Sequence, residues 1–370
     1  MNRRLWLSVA MLAAGASLLL AASFASAGNN ARALKQGGVL RLGQVGASGH
    51  VDPQIAYDTQ QWAIEYATAA KLYNYPDKPG PAGSKLQPEV ASRFTVSKDG
   101  RTYTFFIRKG FKFSNGKPVT PKNFRYAIDR TANHDLASPG SIFIADPAGT
   151  DIVGAEAVNA GNGTHVSGVV VKGQKLIIHL KKGDGTFMSK ITTPFFQAIS
   201  TSLPLTKEIT TVNSTNDLPS AGPYTYSKHV VNQLTSLRRN KYYTKGPGRT
   251  RPHNLQGVDL SWNLDDAVMF QQTQANQLDE DPAIPPDNVQ GLFNQYGLNK
   301  TRFWAKPVNC TGYLPMNMAN SLFKGNTNLR KAVNYAISRG AYVAQSGPFA
   351  PIRISRADAE RTLSWTAHSA

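Results

Sequence analysis

Residues 94–130 read FTVSKDGRTYTFFIRKGFKFSNGKPVTPKNFRYAIDR, and this stretch decides how the rest of the chain is read. Thr102, Thr104, Phe106 and Arg108 alternate with Tyr103, Phe105 and Ile107, the period of two that marks a strand with one buried face. Lys98-Asp99-Gly100 ahead of it supplies a hairpin turn, because glycine permits the positive φ such a turn needs. Phe111-Lys112-Phe113 reads as a short strand closed by a second turn, Ser114-Asn115-Gly116-Lys117. Thr120 then stands as N-cap with Pro121 at the first helical position, opening a helix through Phe124, Ala127 and Ile128.

Working outward, the 370 residues and their 41% hydrophobic content suffice for more than one core. Met1 to Ala27 has the build of a secretory signal: Arg3 and Arg4, an apolar run from Leu5 to Ala22, then Ala25-Ser26-Ala27. Cleavage after Ala27 is expected. The one cysteine, Cys310, excludes an internal disulfide and lies far from that junction, so a lipid anchor is not expected. Net charge is +18, which favours anionic surfaces and raises the question of nucleic acid.

Other elements follow in order. Gly38 to Gly43 reads as a short buried strand, and Gln44 to Pro53 as a loop. A helix is expected from Gln60 to Leu72, with Ala63, Ala67 and Ala70 as close-packing positions. Asp77 to Lys85 is an exposed loop. Val166–Val171 and Lys175–Leu180 form a hairpin in which His179 takes the polar face. Phe187–Ile191 and Ala267–Leu278 read as helices and Val258–Trp262 as a strand. Leu278-Asp279-Glu280-Asp281 lacks the spacing and glycine of a calcium loop and reads as a solvated helix end.

The order of strand, Lys-Asp-Gly, aromatic strand, Phe-Lys-Phe, Asn-Gly-Lys-Pro-Val-Thr and helix resembles the signature of the family 5 extracellular solute-binding proteins, the receptors of peptide and nickel ABC importers. Two later landmarks carry the same resemblance. Ala221-Gly222-Pro223-Tyr224 leads to Leu237-Arg238-Arg239-Asn240-Lys241-Tyr242-Tyr243, and Tyr313-Leu314-Pro315-Met316-Asn317-Met318 precedes the helix of Asn328 to Arg339. In that helix Ala332, Val333, Ala336 and Ile337 are expected to pack against a second lobe.

The resemblance implies an α/β, two-lobed, periplasmic-binding-protein-like (type II) fold with an incomplete second lobe. Its parts would be a first lobe at 28–280, with a smaller subdomain at about 77–202, and a partial second lobe at 281–350. Residues 351–370 match no family element. The likeness stops after Ala344, whereas family members continue well beyond, so a truncated or frame-shifted reading frame is expected. The implied function is capture of a peptide or similar solute by lobe closure and delivery to ABC permease subunits. The implied ligand-binding residues are Tyr57, Thr59, Gln60, Trp262, Tyr313 and Asn317. A secreted monomer is expected, with contact to the membrane only through the permease.

No catalytic residues, metal ligands or cofactors are assigned. The sequence holds no His-Glu-x-x-His, no nucleophile elbow and no dinucleotide fingerprint. Basic residues interleaved with aromatics at Leu237–Tyr243 keep a polyanion-binding protein open as an alternative, though nucleic acid is not expected. An exported hydrolase is the other alternative.

Overall fold

The computed structural model describes residues 36–78, 80–146, 152–305, 315–319 and 321–337. The signal at 1–27, Cys310, Tyr313 and the tail at 351–370 therefore lie outside the described residues. The chain divides into two compact units, 1–263 and 264–370, a division that falls ahead of the boundary expected at 280.

The first unit holds ten strands among the described residues. β1 (Val39–Gly43), β8 (Tyr224–Val230), β9 (Leu234–Arg239) and β10 (Gly257–Ser261) make a four-stranded sheet in the order β1-β10-β9-β8. β1 runs parallel to β10, pairing Val39 with Gly257 and Gly43 with Ser261. β4 (Ala91–Val96), β5 (Thr102–Ile107), β6 (Val169–Lys172) and β7 (Lys175–His179) make an antiparallel sheet in the order β4-β5-β7-β6. β2 (Tyr73–Asn74) and β3 (Gln87–Pro88) form a two-stranded ladder.

The opening stretch folds largely as its pattern dictates. Tyr103, Phe105 and Ile107 of β5 are all buried while the residues between them are half-exposed. Gly100 takes φ +70°, and Asp99 accepts hydrogen bonds from Ser97 Oγ at 2.5 Å and the Arg101 amide at 3.1 Å to hold the turn. α2 (Pro121–Ala132) starts where expected, with the Asn123 carboxamide oxygen accepting from the Thr120 amide at 2.8 Å. Phe111–Phe113 is not a strand. It makes one bridge, Lys112 to Pro118, too little for a ladder, although Phe111 and Phe113 are buried and Lys112 between them is exposed, the alternation of extended chain.

Each large sheet has its own core. Phe105, Leu176 and Ile178 from the antiparallel sheet pack with Phe111, Phe113, Phe124, Ile128, Phe187 and Phe195. Tyr224, Tyr226, Leu237, Leu260 and Trp262 pack with Val51, Ile64, Ile199 and Val212. α2 serves both, giving Phe124 and Ile128 to the first core and Ala127 to the second. α3 (Ala155–Asn159) packs beside it, and α4 (Phe187–Lys190) buries Phe187.

Four expectations need correction. β1 is an edge strand with half-buried leucines, since only β10 flanks it. The helix expected over 60–72 is α1 (Thr59–Thr68), and Ala63 is exposed. It stops because Ala69 leaves helical geometry (ψ 152°) and Gly222 docks there, its amide donating to Thr68 O at 2.8 Å. A Cβ at Gly222 would stand 2.4 Å from Ala69 O, so the glycine of Gly-Pro-Tyr is required by this approach of two backbones.

The other two concern the second unit. It contains α5 (Asp266–Gln274), α6 (Pro286–Tyr296) and α7 (Thr327–Ala336). α5 ends before Leu278, where Asn276 turns to φ +56°. α7 is capped by Asn326, whose side chain accepts from the Leu329 amide at 3.0 Å, but none of its residues is buried. Along its apolar stripe Leu329 and Val333 are half-buried, while Ala332, Ala336 and Ile337 are exposed. Met269, Leu278 and Phe303 are the buried apolar residues of this unit among those described. No helix among the described residues is long and apolar enough to cross a membrane.

Candidate functional site

The expected first-lobe residues meet at the start of α1. Asp58 caps that helix, accepting from the Gln61 amide at 2.7 Å, and the Gln61 side chain accepts from the Tyr57 amide at 2.7 Å. These bonds fix the backbone from which Tyr57, Thr59 and Gln60 project. Thr59 Oγ1 donates to Gln60 Oε1 at 2.9 Å, and both residues are exposed.

Tyr57 is 51% exposed, and its ring rests on two others. Trp62 meets it edge-on at 5.8 Å and Phe195 lies tilted at 5.8 Å, with Phe143 a further 5.9 Å from Phe195. Beside Phe143, Ile142 is 58% exposed. Phe195 is itself fully buried, so the surface is an aromatic rim of Tyr57 with the half-buried Trp62 and Phe143, carrying hydroxyl and carboxamide groups at one end. Such a surface offers ring faces for apolar side chains and both donors and acceptors for amide groups.

A buried polar network underlies the rim. Arg130 and Asp52, both fully buried, form a two-pronged ion pair at 2.8 Å on each prong. Arg130 also donates to Gln54 Oε1 at 2.6 Å and to the carbonyls of Pro204 and Lys207, and Asp52 accepts from the Ile209 amide at 3.0 Å. Gln54 Nε2 in turn donates to Phe195 O at 3.2 Å, and Thr131 Oγ1 donates to the same carbonyl at 3.1 Å. Ser138 donates to Gln54 O. Phe195 is thus held through its carbonyl by Gln54 and Thr131, and Gln54 is anchored in turn to the buried Arg130.

A second buried acid sits on the inner face of α1. Glu65 accepts from Tyr226 Oη at 2.8 Å and from Gln197 Nε2 at 2.6 Å. Burial raises its pKa from 4.5 to about 7 against the lowering effect of these bonds. Because the folded value lies above the unfolded one, the contribution of Glu65 to stability is full below pH 4.5. It is lost as pH rises through 7. Glu65→Gln removes this dependence: relative to wild type the variant gains up to about 3 kcal/mol between pH 5 and pH 8. Urea unfolding at the two pH values measures it.

The other expected site residues fall elsewhere. Trp262 follows β10 with 4% of its surface exposed, and its indole N–H donates to Thr235 Oγ1 at 2.8 Å. Its ring belongs to the core. Asn317 lies in the second unit, exposed, with Oδ1 accepting from the Ala319 amide at 2.9 Å. Tyr313 is outside the described residues. The basic run after β8 is partly spent within the sheet: Arg238 pairs with Asp259 at 2.6 Å, and Arg239 donates to the carbonyls of Asn254 and Leu255.

Phe143 and Phe195 were not singled out from sequence, since neither lies in a periodic stretch. The adjacent pair Phe195-Phe196 before Gln197 was the one available signal.

Comparison with known proteins agrees with this architecture. Residues 85–348 match the profile of the bacterial extracellular solute-binding proteins, family 5 (middle region). The oligopeptide-binding protein OppA of Bacillus subtilis is 27% identical over 276 residues, covering 70% of this chain and 46% of that protein. The dipeptide-binding protein DppE of Bacillus subtilis is 26% identical over 307 residues, covering 78% and 49%. Among solved structures, the Escherichia coli murein tripeptide binding protein MppA superposes with a TM-score of 0.58 at 24% identity, covering 72% of this chain and 49% of that one.

The chain spans about half the length of the relatives it matches. Over that span its fold is the α/β type II arrangement of periplasmic peptide-binding proteins. With the profile matched across most of its residues, the chain belongs to the bacterial extracellular solute-binding proteins, family 5.

Proposed function

We propose that the protein is an extracytoplasmic solute receptor that captures a peptide and hands it to the permease subunits of an ABC importer, without chemical conversion of the solute. The family match over residues 85–348 carries this reading. The aromatic rim at Tyr57 adds a surface of suitable chemistry. In this reading Tyr57, Thr59 and Gln60 contact the peptide from the first lobe, and Tyr313 and Asn317 contact it from the second. A solute touching both lobes binds the closed state more tightly and shifts the population toward it. The protein acts as a monomer on the outer side of the cytoplasmic membrane, after removal of residues 1–27.

A thermal-shift series on the mature chain tests the proposal, using di- to nonapeptides beside nickel salts and sugars. A peptide at a hundred times its Kd stabilises the folded state by about 2.7 kcal/mol and raises Tm. Tyr57→Ala weakens that peptide about tenfold, as loss of one aromatic contact of ~1–1.5 kcal/mol requires. A chain folded by circular dichroism that no peptide stabilises defeats the proposal. Consumption of the peptide, followed by chromatography, would instead point to a hydrolase.

A further inference from the structure

The positive charge of the chain is unevenly spread along it. Residues 100–128 hold seven Lys and Arg and no Asp or Glu, and residues 218–258 hold seven more, again without an acid. Some of these are met by acids from other segments: Arg101 pairs with Asp99, Arg125 with Asp129, Arg238 with Asp259 and Arg251 with Glu89. The remainder gather on two turns of the first unit, one between β5 and α2 and the other between β9 and β10.

The fold lays these two turns side by side, with Tyr242 at the seam. A Cβ at Gly116 would stand 3.0 Å from the Tyr242 hydroxyl, and the ammonium groups of Lys112 and Lys241 lie over its ring at 5.8 Å and 5.1 Å. Arg249 reaches from one turn to the other, its guanidinium 4.9 Å from the centre of the Phe111 ring. Around the seam Lys109, Lys112, Lys117, Lys241 and Lys245 are exposed and make no ion pair among the described residues.

Two carboxylates adjoin the seam and leave most of this charge standing. Glu89, behind Gly248, is buried and paired with Arg251. Asp217 lies in the loop that Ser114 joins by donating to Ser220 O at 2.8 Å, and it sets one negative charge against these lysines. The free cations are lysines because the neighbouring arginines bond to the backbone, Arg249 to Thr244 O at 2.6 Å and Arg108 to Glu89 O at 3.1 Å. An ammonium on a flexible stem is a point charge that can follow mobile headgroups, whereas a fixed phosphate geometry is matched by a guanidinium fork. A half-buried tyrosine among the lysines suits the headgroup layer, where one end of the ring is apolar and the other wet.

We propose that this face docks directly on an anionic phospholipid bilayer, with the exposed lysines on headgroup phosphates and Tyr242 at headgroup level, a contact additional to the one expected through the permease. The inference rests on the export reading only for where a bilayer is met. Solute capture plays no part in it, and either can fail without the other.

Co-sedimentation of the mature chain with vesicles tests it, using phosphatidylglycerol and phosphatidylcholine in equal parts beside phosphatidylcholine alone. The chain should sediment with the mixed vesicles only, and should be released at about 0.5 M salt as screening shortens the reach of the lysines. Lys112→Gln/Lys241→Gln should weaken this binding about twenty-five-fold, at about fivefold per lysine. Lys98→Gln/Lys228→Gln removes the same charge from exposed positions away from the seam and should change binding less than about twofold. Equal losses in the two double variants would show that net charge alone is at work and would overturn the face. Absence of sedimentation with the mixed vesicles would overturn it too. Soluble polyphosphate bound more tightly than the vesicles, and lost in Lys112→Gln/Lys241→Gln, would assign the face to a polymer and overturn the bilayer.

Discussion

Asp52→Ala is expected to destabilise the first unit by about 3–5 kcal/mol, the range for removing one partner of a buried ion pair. The Arg130 guanidinium would stay fully buried with its charge uncompensated, and the Ile209 amide would lose its acceptor. In a unit of this size the loss corresponds to roughly 10 °C in Tm, at about 2–4 °C per kcal/mol. Urea unfolding should show a lower midpoint at unchanged slope. The double variant Asp52→Leu/Arg130→Met should recover most of the loss, because the expensive state is a lone buried charge and not the absence of the pair. A double variant as unstable as the single one would mean that the carbonyl and Gln54 bonds of Arg130 matter more than its charge.

Phe105→Ala is the second large effect, at about 3–5 kcal/mol. Phe105 is fully buried in the middle of β5, with Phe94 at 5.8 Å and Tyr73 and Tyr103 at 6.5 Å, so truncation leaves a cavity that three rings cannot close by small shifts. The neighbouring Phe106→Ala serves as control. That ring points to the other face, where Arg93 lies over it at 3.4 Å and Lys175 at 5.3 Å, and its loss should cost only about 1 kcal/mol. Similar costs at 105 and 106 would contradict the register of the sheet.

The alternation Tyr103, Phe105, Ile107 and the capped start at Thr120-Pro121 were legible because each is a local pattern with a local cause. The pairing of β1 with β10 was not, since a parallel ladder between distant segments leaves no mark in either one. The rim was half legible. Tyr57, Thr59 and Gln60 share one helix start, whereas Phe143 and Phe195 reach it only through the packing of α2. Asp52 lies in the loop read at Gln44 to Pro53, but its partner Arg130 stands 78 positions away and looks like any basic residue near a helix end. Trp262 misleads for a similar reason: an aromatic at a strand end suits a ligand or a core, and only the bond to Thr235 distinguishes the two.

The parallel closure of β1 on β10 also bears on how the chain acquires its fold in time. β4 to β7 find all their partners between residues 91 and 179, so their sheet is complete once that segment exists. β1 is made first and must wait until residue 257 has been added. For a chain read as exported, that delay lasts until residue 257 has also crossed the membrane. Throughout it the row of amides and carbonyls along Val39–Gly43 stands open as a strand edge, the kind of surface that pairs with the wrong chain. The oldest strand of the molecule is therefore the last to be secured, and early misassembly should begin there.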